Sequence, residues 1–157
     1  MYNLIKVCKL DYNKLNEVAT ILNACGKDMA NKYDLHHWDN PYIKTLIIVG
    51  LCNLKNAIYL LYEEDKPIAT FMTKVNGESL HFEKLGTLPA KSGKGIGSIC
   101  LEHIERIALE KGCKSVAMEV YSTSKHAISF YEHRGYEIVG VTDTLKYREV
   151  KMEKGLL

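Results

Sequence analysis

Apolar and polar residues follow two regular patterns along almost the whole chain, and these patterns divide it into strands and helices. Alternation of apolar and polar residues is typical of a half-buried strand, whereas apolar residues three and four positions apart are typical of an amphipathic helix. Strands are predicted at residues 2–7, 57–63, 68–75, 79–88, 115–120, 136–141 and 145–153. Helices are predicted after Asp11, after Pro41, and over residues 96–111 and 125–134.

The order of these elements, β-α-α-β-β-β-α-β-α-β-β, predicts a mixed α/β (α+β) fold with a single mixed sheet flanked by helices. Asn76-Gly77 is a strong hairpin signal, so the first part of the sheet is predicted to be an antiparallel meander. The two strands on either side of the third helix are predicted to be parallel, because a helical crossover joins them. No linker or repeat interrupts the pattern, and residues 1–157 are predicted to form a single domain.

Composition narrows the class of protein. The 157 residues are 46% apolar and 25% charged, which excludes a disordered chain, and the net charge of +2 provides no basic stripe for nucleic acid. The sequence shows no apolar run of the ~20 residues needed to span a bilayer, so no membrane partner is expected. Five scattered cysteines without zinc-type spacing predict reduced thiols, no metal and a cytoplasmic location.

A glycine-rich loop lies between the fourth strand and the third helix. Gly93, Gly95 and Gly97 alternate there, and Lys91 and Lys94 add positive charge. Glycines let an anion approach the backbone, and the first turn of a helix offers unpaired N–H groups, so the loop predicts a phosphate site. A P-loop does not fit. A dinucleotide site fits in part and stays open, although Ser98 stands where its third glycine should be.

Residues 85–97 also resemble the signature of the GNAT superfamily of acyl-CoA N-acyltransferases, which has the form [RQ]-x-x-G-x-[GA] after a strand-ending proline. Gly95 and Gly97 occupy its small positions and Pro89 its proline, while Ser92 replaces the usual Arg or Gln.

A second block, residues 124–136, resembles the later motif N-x-x-A-x-x-[FL]-Y-x-x-x-G-[FY] of the same family. The matching residues are Ala127, Phe130, Tyr131, Gly135 and Tyr136, and Ser124 replaces the asparagine. Together with the element order, the resemblance covers nearly the whole chain, and its specific part is residues 85–136.

The resemblance implies a GNAT-type N-acetyltransferase that binds acetyl-CoA between two splayed parallel strands, with Gly86 marking the bulge that spreads them. The pyrophosphate would bind the backbone amides of the glycine loop. The residues expected at the acetyl-CoA site are Leu85, Gly86, Thr87, Lys91, Ser92, Gly93, Lys94, Gly95, Ile96, Gly97, Ser98, Ser124, Lys125, Ala127 and Tyr131.

Acetyl transfer to an amine needs a proton donor for the leaving thiolate and an acceptor for the amine proton. Tyr131 is the candidate acid, and Glu83, which shares a strand face with His81, is the candidate base. His36 and Trp38 are expected to contact the amine acceptor, since the segment between the first two helices lines the acceptor pocket in this family. His81, on the strand leading into the site, is expected to contact it as well. A non-catalytic acyl-CoA sensor is the alternative from another class, and a homodimer is left open.

Overall fold

A computed structural model describes residues 1–156 and shows the predicted mixed α/β fold. The strands are β1 (Tyr2–Lys6), β2 (Ala57–Glu63), β3 (Lys66–Asn76), β4 (Ser79–Thr87), β5 (Ser115–Tyr121), β6 (Glu137–Asp143) and β7 (Arg148–Gly155). The α-helices are α1 (Tyr12–Tyr33), α2 (Tyr42–Asn53), α3 (Ile96–Glu110) and α4 (Lys125–Glu132), and a short 3-10 helix covers Pro89–Lys91. The strands of the described chain form one sheet in the order β1-β2-β3-β4-β5-β7-β6.

Strand pairing confirms the predicted topology. β1 and β2 pair antiparallel, as do β2 and β3, so the sheet begins as a meander. β4 and β5 pair parallel from Ser79 opposite Ser115 to His81 opposite Ala117, and the crossover between them contains α3. β7 pairs antiparallel with both β5 and β6, which places β6 at the edge of the sheet.

Most element ends lie within two residues of the prediction, and the start of the last strand differs by three. α1 continues to Tyr33 and ends where Asp34 adopts a left-handed φ of 56°. The last strand begins at Arg148 and not at residue 145, because Thr144 and Tyr147 close a turn: the Thr144 N–H donates to the Tyr147 carbonyl at 2.8 Å.

One compact unit comprises Met1–Lys74 and Lys84–His103. Its core lies between the helices α1 and α2 and the strands β2 and β3, where Val18, Ile21, Val49, Leu60 and Met72 are almost completely buried. Burying a large aliphatic side chain contributes about 1.5–3 kcal/mol, so this cluster accounts for much of the stability of the unit.

The other compact unit comprises Val75–Glu83 and residues 104–156 of the described chain. Its buried side chains include Phe82, Ile104, Tyr136 and Met152. The Tyr136 hydroxyl donates to Glu105 at 3.0 Å, and burial raises the pKa of Tyr136. No helix within residues 1–156 combines the length and apolar character that crossing a bilayer requires.

Candidate active site

The glycine loop has the backbone geometry of an anion site. After the 3-10 helix, Gly93 and Gly95 adopt φ values of 75° and 80°, which L side chains rarely adopt. An added Cβ at either position would have no atom within 4 Å, so the backbone conformation and not crowding explains these glycines. α3 then begins at Ile96, whose buried side chain anchors it, and the Ile99 N–H donates to the Gly95 carbonyl at 3.2 Å. The N–H groups of a helix's first turn have no preceding carbonyl partner, so they can bind an anion.

The two lysines of the loop differ in their surroundings. Lys94 is exposed, whereas the Lys91 Nζ lies 2.5 Å from Glu63 Oε1. This hydrogen bond raises the pKa of Lys91 and lowers the pKa of Glu63. Ser92, at the position where the family has Arg or Gln, is exposed and extended, and its N–H donates to the Pro89 carbonyl at 3.1 Å.

The end of β4 leading into the loop packs closely on α1. An added Cβ at Gly86 would lie 2.9 Å from Cys25 Sγ and 3.3 Å from Leu22, so a larger residue here would displace these side chains. The Cys25 thiol donates to the Thr87 carbonyl at 3.0 Å. Lys84 is the residue of β4 with a positive φ, 56°, and the role of Gly86 as the bulge that spreads the strands stays a prediction. Leu85, which follows it, is half-buried.

Tyr131 lies on α4 and is 9% exposed. Its ring centroid is 5.9 Å from that of Phe82 on β4, 5.2 Å from Phe130 and 5.9 Å from Tyr136. Aromatic rings in tilted or edge contact at these distances stabilise one another. The aromatic cluster therefore fixes the position of the Tyr131 ring, which a proton donor in catalysis requires.

The start of α4 contains the other residues of the second motif. Ser124 is 3% exposed and its carbonyl accepts from Ala127 and Ile128 at 3.1 Å. Ser124 occupies the N-cap position, but its side chain makes no capping hydrogen bond. Lys125 is exposed and Ala127 is half-buried.

His81 and Glu83 project from β4 on the face opposite Phe82, because successive strand residues point to opposite faces. His81 Nε2 lies 2.7 Å from Glu119 Oε1 on β5. Tyr131 packs on the Phe82 side, so the candidate acid and the candidate base approach β4 from different faces. Glu119 was not predicted as a site residue. Parallel pairing places His81 opposite Ala117, and Glu119, two residues further along β5, is on the same face.

The segment between α1 and α2 is held against α1. The Trp38 carbonyl oxygen would lie 2.0 Å from a Cβ at Gly26, and Asn23 Nδ2 donates to the Asn40 carbonyl at 2.8 Å. Trp38 is half-buried against the core, with the Lys84 Nζ 5.8 Å from its ring centroid. These contacts explain Trp38 as an anchor of the segment, and its contact with an acceptor stays a prediction.

His36, in the same segment, is bound by two carboxylates. His36 Nε2 lies 2.6 Å from Asp34 Oδ1 and Nδ1 lies 3.5 Å from Asp39 Oδ2, and these hydrogen bonds raise the pKa of His36. Within residues 1–156, no three His, Cys, Asp or Glu side chains are arranged to hold a metal ion.

Comparison with known proteins identifies the class. Residues 16–136 match the model of the Acetyltransferase (GNAT) family, and this range includes the glycine loop, Glu83 and Tyr131. The chain therefore belongs to the GNAT family of acetyltransferases.

Individual relatives agree with this assignment. The chain is 23% identical over 119 residues, 76% of this chain and 73% of that protein, to the uncharacterized protein YdhI of Bacillus subtilis (strain 168). It is 30% identical to the thialysine N-epsilon-acetyltransferase of Bos taurus over 59 residues, 38% of this chain and 35% of that protein. The structure of PaiA N-acetyltransferase from Thermoplasma acidophilum in complex with coenzyme A has the same fold, with a TM-score of 0.73 at 20% identity over 99% of each chain.

Proposed function

We propose that this protein transfers an acetyl group from acetyl-CoA directly to a primary amine of a small molecule, a peptide or a protein. The observation that carries the proposal is the glycine loop, in which Gly93 and Gly95 have positive φ immediately before α3, in a chain of the GNAT family. The bovine relative is named for acetylating an amine of thialysine, which supports an amine as the acceptor class.

The exposed loop fits a pyrophosphate, because its backbone can be approached without a steric barrier at Gly93 and Gly95. We assign the amides of residues 93–97 to this group, together with the exposed cation of Lys94. Lys91 can also contact it once the ion pair with Glu63 breaks. We also assign other residues to acetyl-CoA: the half-buried Ser98, the exposed Ser92 and Lys125, and the backbone of Leu85 and Thr87.

Acetyl-CoA supplies an acetyl group activated as a thioester. In the proposed reaction, the amine nitrogen attacks the thioester carbonyl carbon and the carbon–sulfur bond breaks. Tyr131 donates its hydroxyl proton to the departing sulfur, and Glu83, on the other face of β4, accepts through water the proton lost by the amine nitrogen. Exchange with solvent then returns a proton to Tyr131 and removes one from Glu83. His81, whose ring is held by Glu119, is assigned to binding the acceptor on the Glu83 face of β4.

The decisive experiment compares Tyr131→Phe with the wild type. Release of free thiol from acetyl-CoA is measured with a panel of amines, and binding of CoA is measured by calorimetry. We expect turnover to fall by about 100-fold or more while the Kd of CoA changes less than about three-fold, because only the proton donor is lost. Glu83→Gln should also lower turnover, whereas Tyr12→Phe, which removes a hydroxyl from a tyrosine that is 66% exposed at the start of α1, should not.

Three outcomes would contradict the proposal. Unchanged turnover in Tyr131→Phe would exclude this tyrosine as the acid. Binding of acetyl-CoA without consumption in the presence of any amine would favour the sensor function. A rise in melting temperature with NAD but not with CoA would favour a dinucleotide site.

A further inference from the structure

α2 exposes an apolar surface that the proposed reaction does not use. Ile43, Ile47, Leu51 and Leu54, at and just beyond this helix, are 67%, 58%, 61% and 80% exposed. Leu10 and Tyr12, at the start of α1, are 76% and 66% exposed and line a hollow of about 530 Å³ together with Leu46, Gly50 and Leu54. We call these residues the α2 surface.

The size of the α2 surface indicates a macromolecular partner. At ordinary side-chain areas its six most exposed residues leave about 700 Å² of mostly apolar area in water, above the ~300–600 Å² of the largest patch on a typical monomer. Each partner in a standard protein interface buries roughly 800 Å². The α2 surface is therefore large enough to provide most of one side of a stable dimer.

The spacing along α2 fits a second copy of the same helix. Ile43, Ile47, Gly50 and Leu54 are separated by four, three and four residues, and this spacing is the same when read backwards. A second α2 running antiparallel across a two-fold axis would place Ile43 opposite the partner's Leu54, and Ile47 opposite the partner's Gly50. An added Cβ at Gly50 would meet no atom within 4 Å, so Gly50 leaves room for an isoleucine side chain.

Positive charges lie at the ends of the α2 surface. Lys44 is in the first turn of α2, the exposed Lys55 follows its last turn, and Lys9 donates to the Asn53 carbonyl. An antiparallel pair brings Lys44 of one copy near Lys55 and Lys9 of the other, and salt screens this repulsion at the exposed rim, so the dimer should be stronger at higher salt. From the exposed apolar residues of the α2 surface, their spacing and their area, we propose that the α2 surface is the interface of a homodimer with antiparallel α2 helices.

Sedimentation analysis over a range of protein concentrations tests the proposal with two matched variants. Ile47→Glu introduces a charge at the centre of the α2 surface, and Val141→Glu introduces the same charge on the edge strand β6 at a residue that is also 58% exposed. We expect the wild type to dimerise, Ile47→Glu to weaken the dimer at least about ten-fold, and Val141→Glu to leave it unchanged. Both sites are exposed, so equal melting temperatures of the dilute variants would confirm that folding is unaffected.

Gly50→Leu supplies a second variant with a different physical effect. The leucine side chain fills the space proposed for the partner's Ile47, so the dimer should weaken about ten-fold. Because leucine is a better helix former than glycine, the melting temperature of the dilute protein should not fall. The proposal is overturned if the wild type is monomeric at all concentrations. A monomer that binds anionic lipid vesicles through the α2 surface would overturn it too. It is also overturned if Val141→Glu and not Ile47→Glu dissociates the dimer.

Discussion

The Cys25 thiol shows how the surroundings of one side chain determine its chemistry. It is buried beneath the end of β4, where it donates to the Thr87 carbonyl, and burial raises its pKa to about 12. Cys100, buried on α3, has its pKa raised to about 12 for the same reason. A thiol of this pKa is almost never ionised near neutral pH, and only the thiolate reacts rapidly with alkylating agents.

Alkylation of the folded protein should therefore be selective. With iodoacetamide at pH 8 we expect the exposed Cys8 to be modified first, while Cys25 and Cys100 stay unmodified until the protein unfolds. Peptide mass spectrometry at increasing times measures the order, and a parallel sample in denaturant should show all three reacting alike. Modification of Cys25 as fast as Cys8 in the folded protein would be inconsistent with its burial.

Candidate site residues were predicted from the sequence where they belong to a short local motif. The glycines of the loop and Tyr131 belong to short motifs that can be read along the chain. Glu119 and Cys25 do not, because their partners His81 and Thr87 are 38 and 62 residues away. Such contacts depend on strand register and on helix packing, neither of which a single local pattern specifies.

At the scale of elements, Gly26 controls how the α1–α2 segment lies on α1. A Cβ at this position would be 2.0 Å from the Trp38 carbonyl oxygen and 2.6 Å from the Trp38 carbonyl carbon. Both atoms belong to the backbone, so neither can move aside by a change of rotamer. The segment can cross α1 at this distance only over a glycine.

The same substitution in two helices should consequently have opposite effects. Gly26→Ala should lower the free energy of unfolding by about 3 kcal/mol, because the clash forces α1 and the segment apart. Gly50→Ala in α2, where space is open, should raise it by about 0.5–1 kcal/mol through helix propensity. Urea unfolding of the dilute proteins measures both changes, and a Gly26→Ala variant as stable as the wild type would show that the segment is free to move.

The order of the elements was predictable because apolar periodicity persists through the elements that build the core. The residues at which the elements begin and end were not predictable in this way. The last turns of α1 at Asn31–Tyr33 carry exposed side chains without apolar spacing, and Leu145, apolar in sequence, is fully exposed in a turn. Exposure of these residues is decided by packing elsewhere in the fold, so hydrophobic pattern alone misplaces the boundaries.

At the scale of the whole molecule, charge is nearly balanced. The 21 basic and 19 acidic residues leave a net charge of +2, which produces little long-range attraction for polyanions. Recognition of a phosphate-bearing ligand must then rely on groups in direct contact with it. In the proposed site, these groups are the loop backbone and its lysines.

In the proposed site, the ion pair of Lys91 with Glu63 couples binding of the pyrophosphate to proton uptake. If the CoA pyrophosphate takes Lys91, Glu63 loses the partner that lowers its pKa, so binding at acid pH takes up a proton and the affinity rises as pH falls toward the ordinary carboxyl range. Glu63→Gln removes the competitor, and CoA should then bind more tightly at neutral pH with less dependence on pH. Calorimetric titration in buffers of different ionisation enthalpy counts the protons, and equal uptake in wild type and variant would exclude Glu63 as their source.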